Sequence, residues 1–292
     1  MRRVRRNPLI AGLLCGLVLL QPACATLSVP EEQELGREAA RELRTQIDLV
    51  RDEWVVGYVA ELGRDIVAAS GPQPYQYAFY VVDDEALNAF ALPAGYVYIH
   101  TAIILEAANV SELAGVMAHE VGHVALRHVA LNYNRRRNTG LLYQLFRVAV
   151  SLFVPGYAAA GGQLLGQLAA VAYVNQFTRE AEAEADAFAV EVLPRAGYDP
   201  NGLVSFFETL REQGGPHVPE FLASHPATER RIEDTRALIN RSELPPGLTV
   251  NDGGELEIIQ RRIELLTGAA SRRPDVATLS GRDPGRALRH AP

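Results

Sequence analysis

Cysteine is almost absent from this chain. Its 292 residues include two, Cys15 and Cys24, so the body beyond residue 24 can hold no disulfide. Positive charge is also in deficit, with 28 basic residues against 35 acidic ones and a net charge of −7. Four of the basic residues, Arg2, Arg3, Arg5 and Arg6, lie in the first six positions, which leaves the remainder still more acidic. Such a surface repels a phosphate backbone, and no basic stripe with interleaved aromatics is present, which excludes nucleic acid as a partner. Nor does any apolar run reach the roughly 20 residues that a membrane-spanning helix needs. The most apolar stretch, 139–175, is broken by Arg147, Pro155-Gly156, Gly161-Gly162, Gln163 and Gln167. It reads as a buried helix pair beside the active site, with a membrane-facing surface as the second reading. With 48% hydrophobic and 22% charged residues, the chain is globular rather than disordered, and long enough for one large domain or two small ones.

What is present begins with an address. The Arg-rich start, the apolar run Leu9–Leu20 and the small residues after it form a signal peptide over 1–25. Ala23-Cys24-Ala25 fits cleavage before Thr26. Ala23-Cys24 also fits a lipoprotein signal in which Cys24 is acylated and anchors the chain to the outer membrane, although Gln21 stands where such signals normally carry Leu. Both readings place the protein in the periplasm.

Hydrophobic periodicity predicts two amphipathic helices over 31–70, ended by Gly71-Pro72-Gln73-Pro74. Aromatic and β-branched content predicts a strand at Tyr75–Val82 and a second at about Gly95–His100, after the turn Leu92-Pro93-Ala94-Gly95. Helices follow over 101–108 and 111–132, with Ser111 as N-cap, and again over 179–195, after Asp199-Pro200, over 226–240 and over 255–267. The tail from Gly268 has a disordered composition.

The chemistry lies in His119-Glu120-Val121-Gly122-His123. Residues four apart share one helix face, so both imidazoles can address a single ion, and neutral imidazole suits Zn²⁺. Glu120 follows the first ligand directly and can take a proton from a water that the ion activates. Ala114, Met117, Ala118, Val121, Val124 and Ala125 make the helix largely apolar, and unpartnered polar side chains there would be costly. A third ligand is sought in the acidic stretch Arg179–Asp186. Glu182 and Asp186 lie on one helix face that continues into Phe188, Ala189 and Val192. Glu182 is the candidate ligand, and Asp186 the candidate to hold one ligand imidazole in its tautomer. A solvated acidic face is the plainer reading of the same residues.

Four segments together resemble the gluzincin peptidases that include the HtpX-type heat-shock proteases, the CAAX prenyl endopeptidases and the BepA-type periplasmic proteases. They are Asn88–Pro93 (NAFALP), His119–His128 (HEVGHVALRH), Arg179–Asp186 (REAEAEAD) and Ser224–Ile232 (SHPATERRI), in the family's order and within about residues 30–240. The resemblance implies an α+β, mainly helical zincin-type metallopeptidase domain over 30–243, with a small antiparallel sheet on the motif helix. A C-terminal helix and tail would follow over 244–292. It implies one Zn²⁺ per chain, metal ligands His119, His123 and Glu182, general base Glu120, and Asp186 behind the ligands. It further implies that Asn88, Ala89 and Phe90 form an edge strand for extended or unfolded polypeptide substrates, that Arg231 stabilises the oxyanion, and that His225 can take the open metal position and hold the enzyme latent. His100, His128, His217 and His290 fall in no motif and read as structural or surface residues. Two rival functions accompany the protease reading. One is a chaperone that serves the outer-membrane assembly machinery and cleaves little; the other is a membrane-embedded prenyl protease, against which the lack of spanning helices argues.

Overall fold

The computed structural model describes residues 27–132, 177–212 and 220–268. The expected helix pair in 139–175, the signal segment, the tail, His217 and His290 lie outside these residues. Helix α1 (Val29–Leu43) opens with a capping box, in which Ser28 Oγ accepts from the Glu31 backbone while Glu31 accepts from the Ser28 N–H. Helix α2 (Glu53–Ala69) starts at Asp52, whose carboxylate accepts from the amides of Trp54 and Val55. Strands β1 (Ala78–Val82), β2 (Ala89–Leu92) and β3 (Tyr96–His100) follow, then α3 (Thr101–Glu106) and α4 (Val110–Ala125). Beyond these come α5 (Arg179–Arg195), α6 (Asn201–Glu212), α7 (Glu220–Ser224), α8 (Glu229–Arg241) and α9 (Glu255–Thr267).

The fold class is α+β and mainly helical, as the sequence implies, but the sheet is mixed rather than antiparallel. Its order is β1-β3-β2, with β3 parallel to β1 and antiparallel to β2. The segment that leaves β1 causes this. It passes across the end of β3, where Thr101 Oγ1 donates to the Asp84 carbonyl (2.9 Å) and His100 Nδ1 meets the Ala86 carbonyl (3.0 Å). The chain then enters β2 on the far side and turns back into β3. That turn needs left-handed backbone at both Ala94 (φ 64°) and Gly95 (φ 100°). A β-carbon on Gly95 would stand 2.8 Å from the Gln76 carbonyl oxygen. His100 is thereby a buried structural residue, as its lack of a motif suggested.

Helix α4 is the axis of the molecule. Every residue from Val110 to Val124 is buried, because α2, α5, α6 and the β2–β3 side of the sheet pack around it. Its N-cap is Asn109, two residues before the expected Ser111, and Asn109 Oδ1 accepts from Glu112 N at 3.1 Å. The helix also ends earlier than expected, since Arg127 adopts φ 60° and the chain turns before helical residues resume at 128. Small residues let the neighbours close in. A β-carbon on Gly115 would lie 2.7 Å from the Leu203 backbone of α6, and one on Gly122 would lie 3.0 Å from Phe188 and 3.3 Å from Ala185 of α5.

The other sheet face is covered by α1, where Ala40 and Leu43 meet Phe90, Leu92 and Tyr98. Tyr98 stacks between Tyr80 and Phe90, with ring centroids 5.0 Å away on each side. Helix α9 belongs to the main core through Leu256, Ile259 and Ile263. Gln260 donates to the carbonyls of Ile104 and Ala107 at the end of α3, and Arg262 pairs with the α2-capping Asp52.

Packing makes opposite demands on two helical glycines. Gly115→Ala is expected to destabilise by roughly 1–3 kcal/mol through overpacking. Gly57→Ala, where a β-carbon meets nothing within 4 Å, is expected to gain up to about 1 kcal/mol of helix propensity. Urea midpoints of the two variants check the pair; equal midpoints would show that α4 and α6 can move apart at no cost.

Candidate metal centre

Three segments converge at the C-terminal half of α4. His119 and His123 project from one face of α4, and Glu182 comes from the first turn of α5, where Thr178 caps the helix. His225 follows α7, its amide bonded to the Phe221 carbonyl at 2.7 Å. One donor atom from each of these four buried residues lies within 4.8 Å of all the others. His119 Nε2 stands 3.1 Å from His123 Nε2 and 3.3 Å from His225 Nδ1. Glu182 lies 3.5 Å from His119 Nε2, 3.5 Å from His123 Nε2 and 2.9 Å from His225 Nδ1. Ligands bound to tetrahedral zinc at 2.0–2.1 Å stand about 3.3 Å from one another, so the spacing suits a single ion.

The hydrogen bonding points the same way. Three imidazole nitrogens face one another without enough acceptors to satisfy mutual donors, and both Glu120 oxygens and His225 Nε2 are buried without a hydrogen-bond partner among the described residues. His225 Nε2 comes no nearer to Glu120 than 3.5 Å. Buried polar atoms with no partner are costly, and a cation in their midst supplies one. The residues therefore fit zinc.

A second layer holds the donors. Asp186 Oδ1 accepts from His119 Nδ1 at 2.9 Å. Arg231 grips Asp186 through Nε (2.5 Å) and Nη2 (2.7 Å) and reaches Glu182 through Nη1 at 2.7 Å. Its guanidinium lies over the Phe207 ring at 4.6 Å. Arg231, for which the sequence suggests an oxyanion contact, is thus placed as a clamp on two site carboxylates. Phe177 stacks on His123 with ring centroids 3.8 Å apart, while Phe207 and Phe221 meet His119 edge-on.

Environment sets the charges. Burial pushes Glu120 up to about 7. Burial also opposes the charged form of Asp186, but Arg231 and His119 outweigh it and hold the carboxyl below its usual range. For His119 burial is overcome by hydrogen bonds to Asp186 and Glu182, which raise it. His123, shielded by burial and beside His119, is held well below the usual histidine range.

The structure brings together His119, Glu120, His123, Glu182, Asp186, His225 and Arg231. Asn88, Ala89 and Phe90 lie apart from them at the start of β2. Among the described residues no other strand pairs with the outer edge of β2, and α4 packs directly against it. The hydrogen bond from Phe221 N to the Leu87 carbonyl (2.9 Å) ties the His225 segment to the entry of that strand. His128, read from the sequence as a structural or surface residue, is buried, and its Nδ1 stands 3.1 Å from Nδ1 of His123. The three phenylalanines were not anticipated, and their sequence contexts carry no signal that separates them from ordinary core residues.

The sequence pattern of Peptidase family M48 matches residues 53–239. The chain is 33% identical over 226 residues to the Beta-barrel assembly-enhancing protease of Escherichia coli (strain K12), a match that covers 75% of this chain and 46% of that protein. It is 32% identical over 237 residues to the Yersinia pestis protein of the same name, covering 79% and 48%. To the Mitochondrial metalloendopeptidase OMA1 of Arabidopsis thaliana it is 28% identical over 180 residues, covering 62% and 35%. The chain spans about half the length of the assembly-enhancing proteases it matches.

Zinc binds imidazole only after its proton leaves, and two carboxylates hold a proton on His119. Zinc affinity is therefore expected to fall as pH drops through the raised His119 value, with protons released on uptake. Competition against a chromophoric chelator across pH tests this; an affinity independent of pH would remove His119 from the ligand set.

Proposed function

The chain belongs to peptidase family M48, and from that premise we propose that it is a zinc-dependent endopeptidase acting on extended stretches of misfolded or misassembled envelope proteins. The observation that carries the reading is the convergence of four buried donors, His119, His123, Glu182 and His225, beside a carboxylate with no hydrogen-bond partner among the described residues, Glu120. When bound, zinc supplies a Lewis acid that activates water and polarises a carbonyl.

The protein's own groups do the rest. An extended peptide adds to the edge of β2 at Asn88, Ala89 and Phe90, where no other strand pairs among the described residues, a mode that reads backbone rather than sequence. It lies next to α4, which directs the scissile carbonyl at the histidines. Glu120, pushed up to about 7, is poised near neutrality to accept a proton from water and return it to the leaving amine. Arg231 holds the two carboxylates in place and adds a fixed positive charge near the carbonyl oxygen as it becomes anionic. His225 would supply a fourth protein ligand where a catalytic zinc site keeps a place for solvent. That placement would correspond to a latent form, and turnover would require His225 to withdraw.

Two further features support an envelope address. The Arg-rich start and short apolar run fit an export signal that ends before Cys24, as a lipid anchor, or after Ala25. No helix of the described residues is long and apolar enough to cross a membrane. The names of the bacterial relatives refer to β-barrel assembly, which suggests outer-membrane assembly intermediates as substrates. A second reading, a chaperone for the same assembly machinery with little cleavage, is favoured by one observation: His225 lies within 4.8 Å of the other three donors, where it would compete with water for an ion.

Digestion of casein by the purified chain, with and without a chelator, separates the two readings. Proteolysis that the chelator abolishes supports the peptidase; binding without cleavage supports the chaperone. Glu120→Gln is expected to keep one zinc and lose at least about a hundredfold in rate. His225→Ala is expected to cleave faster than the wild type, since it opens the fourth position. Normal cleavage by Glu120→Gln would sink the assigned role.

A further inference from the structure

His119 and His123 are supported by different devices. His119 has a carboxylate directly behind it, Asp186, at 2.9 Å from Nδ1. Among the described residues His123 has no carboxylate there. Its Nδ1 instead meets Nδ1 of His128 at 3.1 Å, and Nε2 of His128 meets Oε2 of Glu184 at 2.9 Å. His128 is buried, whereas the Glu184 side chain is 64% exposed and lies on α5 two residues beyond Glu182.

The direction of this chain follows from which nitrogen of His123 faces the cluster. Nε2 stands 3.1 Å from His119 Nε2 and 3.5 Å from Glu182, so Nε2 is the ligand atom and must carry no proton. A neutral His123 then has its proton on Nδ1 and donates from it. Nδ1 of His128 has to accept, which puts the His128 proton on Nε2. There it can donate only to an acceptor, and the carboxylate of Glu184 is one. Every link agrees with the next in only one arrangement. A charged His128 would set a second N–H against that of His123 at 3.1 Å, so the contact itself calls for a neutral His128.

We propose that His128 and Glu184 form a relay that fixes the tautomer and ring orientation of His123, and that both are positioning residues for the metal site. Partners of this kind raise the basicity of a ligand and hold its ring; their loss typically costs 10–100-fold in metal affinity. The relay also explains an exposed glutamate whose charge would otherwise serve only solubility. The inference rests on the reading of His119, His123 and Glu182 as zinc ligands.

The test is zinc affinity of the full chain, measured by chelator competition rather than by activity. His128→Leu is expected to bind zinc 10–100-fold more weakly than the wild type. His128→Gln, whose amide oxygen can accept from His123, is expected to regain most of that loss. Glu184→Ala should show a smaller loss, since water can replace an exposed acceptor. Nitrogen NMR of labelled imidazoles in the zinc-loaded wild type should find the His128 proton on Nε2, and this reading stands even if His128→Leu fails to fold. Wild-type affinity in His128→Leu, or a proton on Nδ1 of His128, would overturn the relay while leaving the zinc site intact. A wild type that binds no zinc, or a Glu182→Ala variant that binds it equally well, would overturn the zinc reading and the relay together.

Discussion

Three carboxylates and three imidazoles are buried together with one guanidinium to balance them. Glu120, Glu182 and Asp186 bring negative charge into a region sealed by Phe177, Phe207 and Phe221, and Arg231 offsets only part of it. Charges in such surroundings survive only with partners, because desolvation otherwise exceeds any mutual attraction. The geometry assigns the partners in layers. Arg231 satisfies Asp186 and one oxygen of Glu182, Asp186 satisfies His119, and His128 satisfies His123. What remains is a set of nitrogen and oxygen lone pairs aimed at a common point, which a divalent cation matches in charge and spacing.

The scaffold serves that convergence. Gly122 lies inside the motif between the two ligand histidines, and its missing side chain lets α5 approach close enough for Glu182 to reach them. On the other flank Gly115 admits α6, which carries Phe207. Residues that look like gaps in the helix are what allow three segments to share one centre. The mixed sheet serves a separate purpose. By crossing over the end of β3, the chain delivers β2 to the edge of the sheet beside α4, so the strand proposed to receive peptide and the helix that carries His119 and His123 become neighbours.

Much of this was legible in the sequence, for identifiable reasons. Helical periodicity located α1, α2, α5, α8 and α9, because each alternates a wet face with an apolar one; the caps at Asp52 and Thr178 emerged only with the structure. The spacing of four between His119 and His123, and between Glu182 and Asp186, specified shared faces. The parallel pairing of β1 with β3 was not legible, since it depends on hydrogen bonds from Thr101 and His100 that no local pattern announces. His128 was hidden by a misplaced helix end. On a continuous helix a residue five beyond His123 points well away from it. Only the left-handed backbone at Arg127 turns His128 back toward the ligand, and an arginine gives little warning of that conformation. The clamp of Arg231 on Asp186 joins residues 45 apart in sequence, and its target could not be read from an amphipathic helix with several charges.

The contact between Asp52 and Arg262 joins residues 210 positions apart, and α9 fills the core between α2 and α3. A chain that emerges N-terminus first cannot make this contact until residue 262 is out. Asp52 can cap α2 locally, through Trp54 and Val55, but the packing of α2 and α3 against α9 has to wait, and non-local closure of this kind slows folding. A terminal segment of the core is thus the piece whose arrival closes the distance between the two ends of the domain.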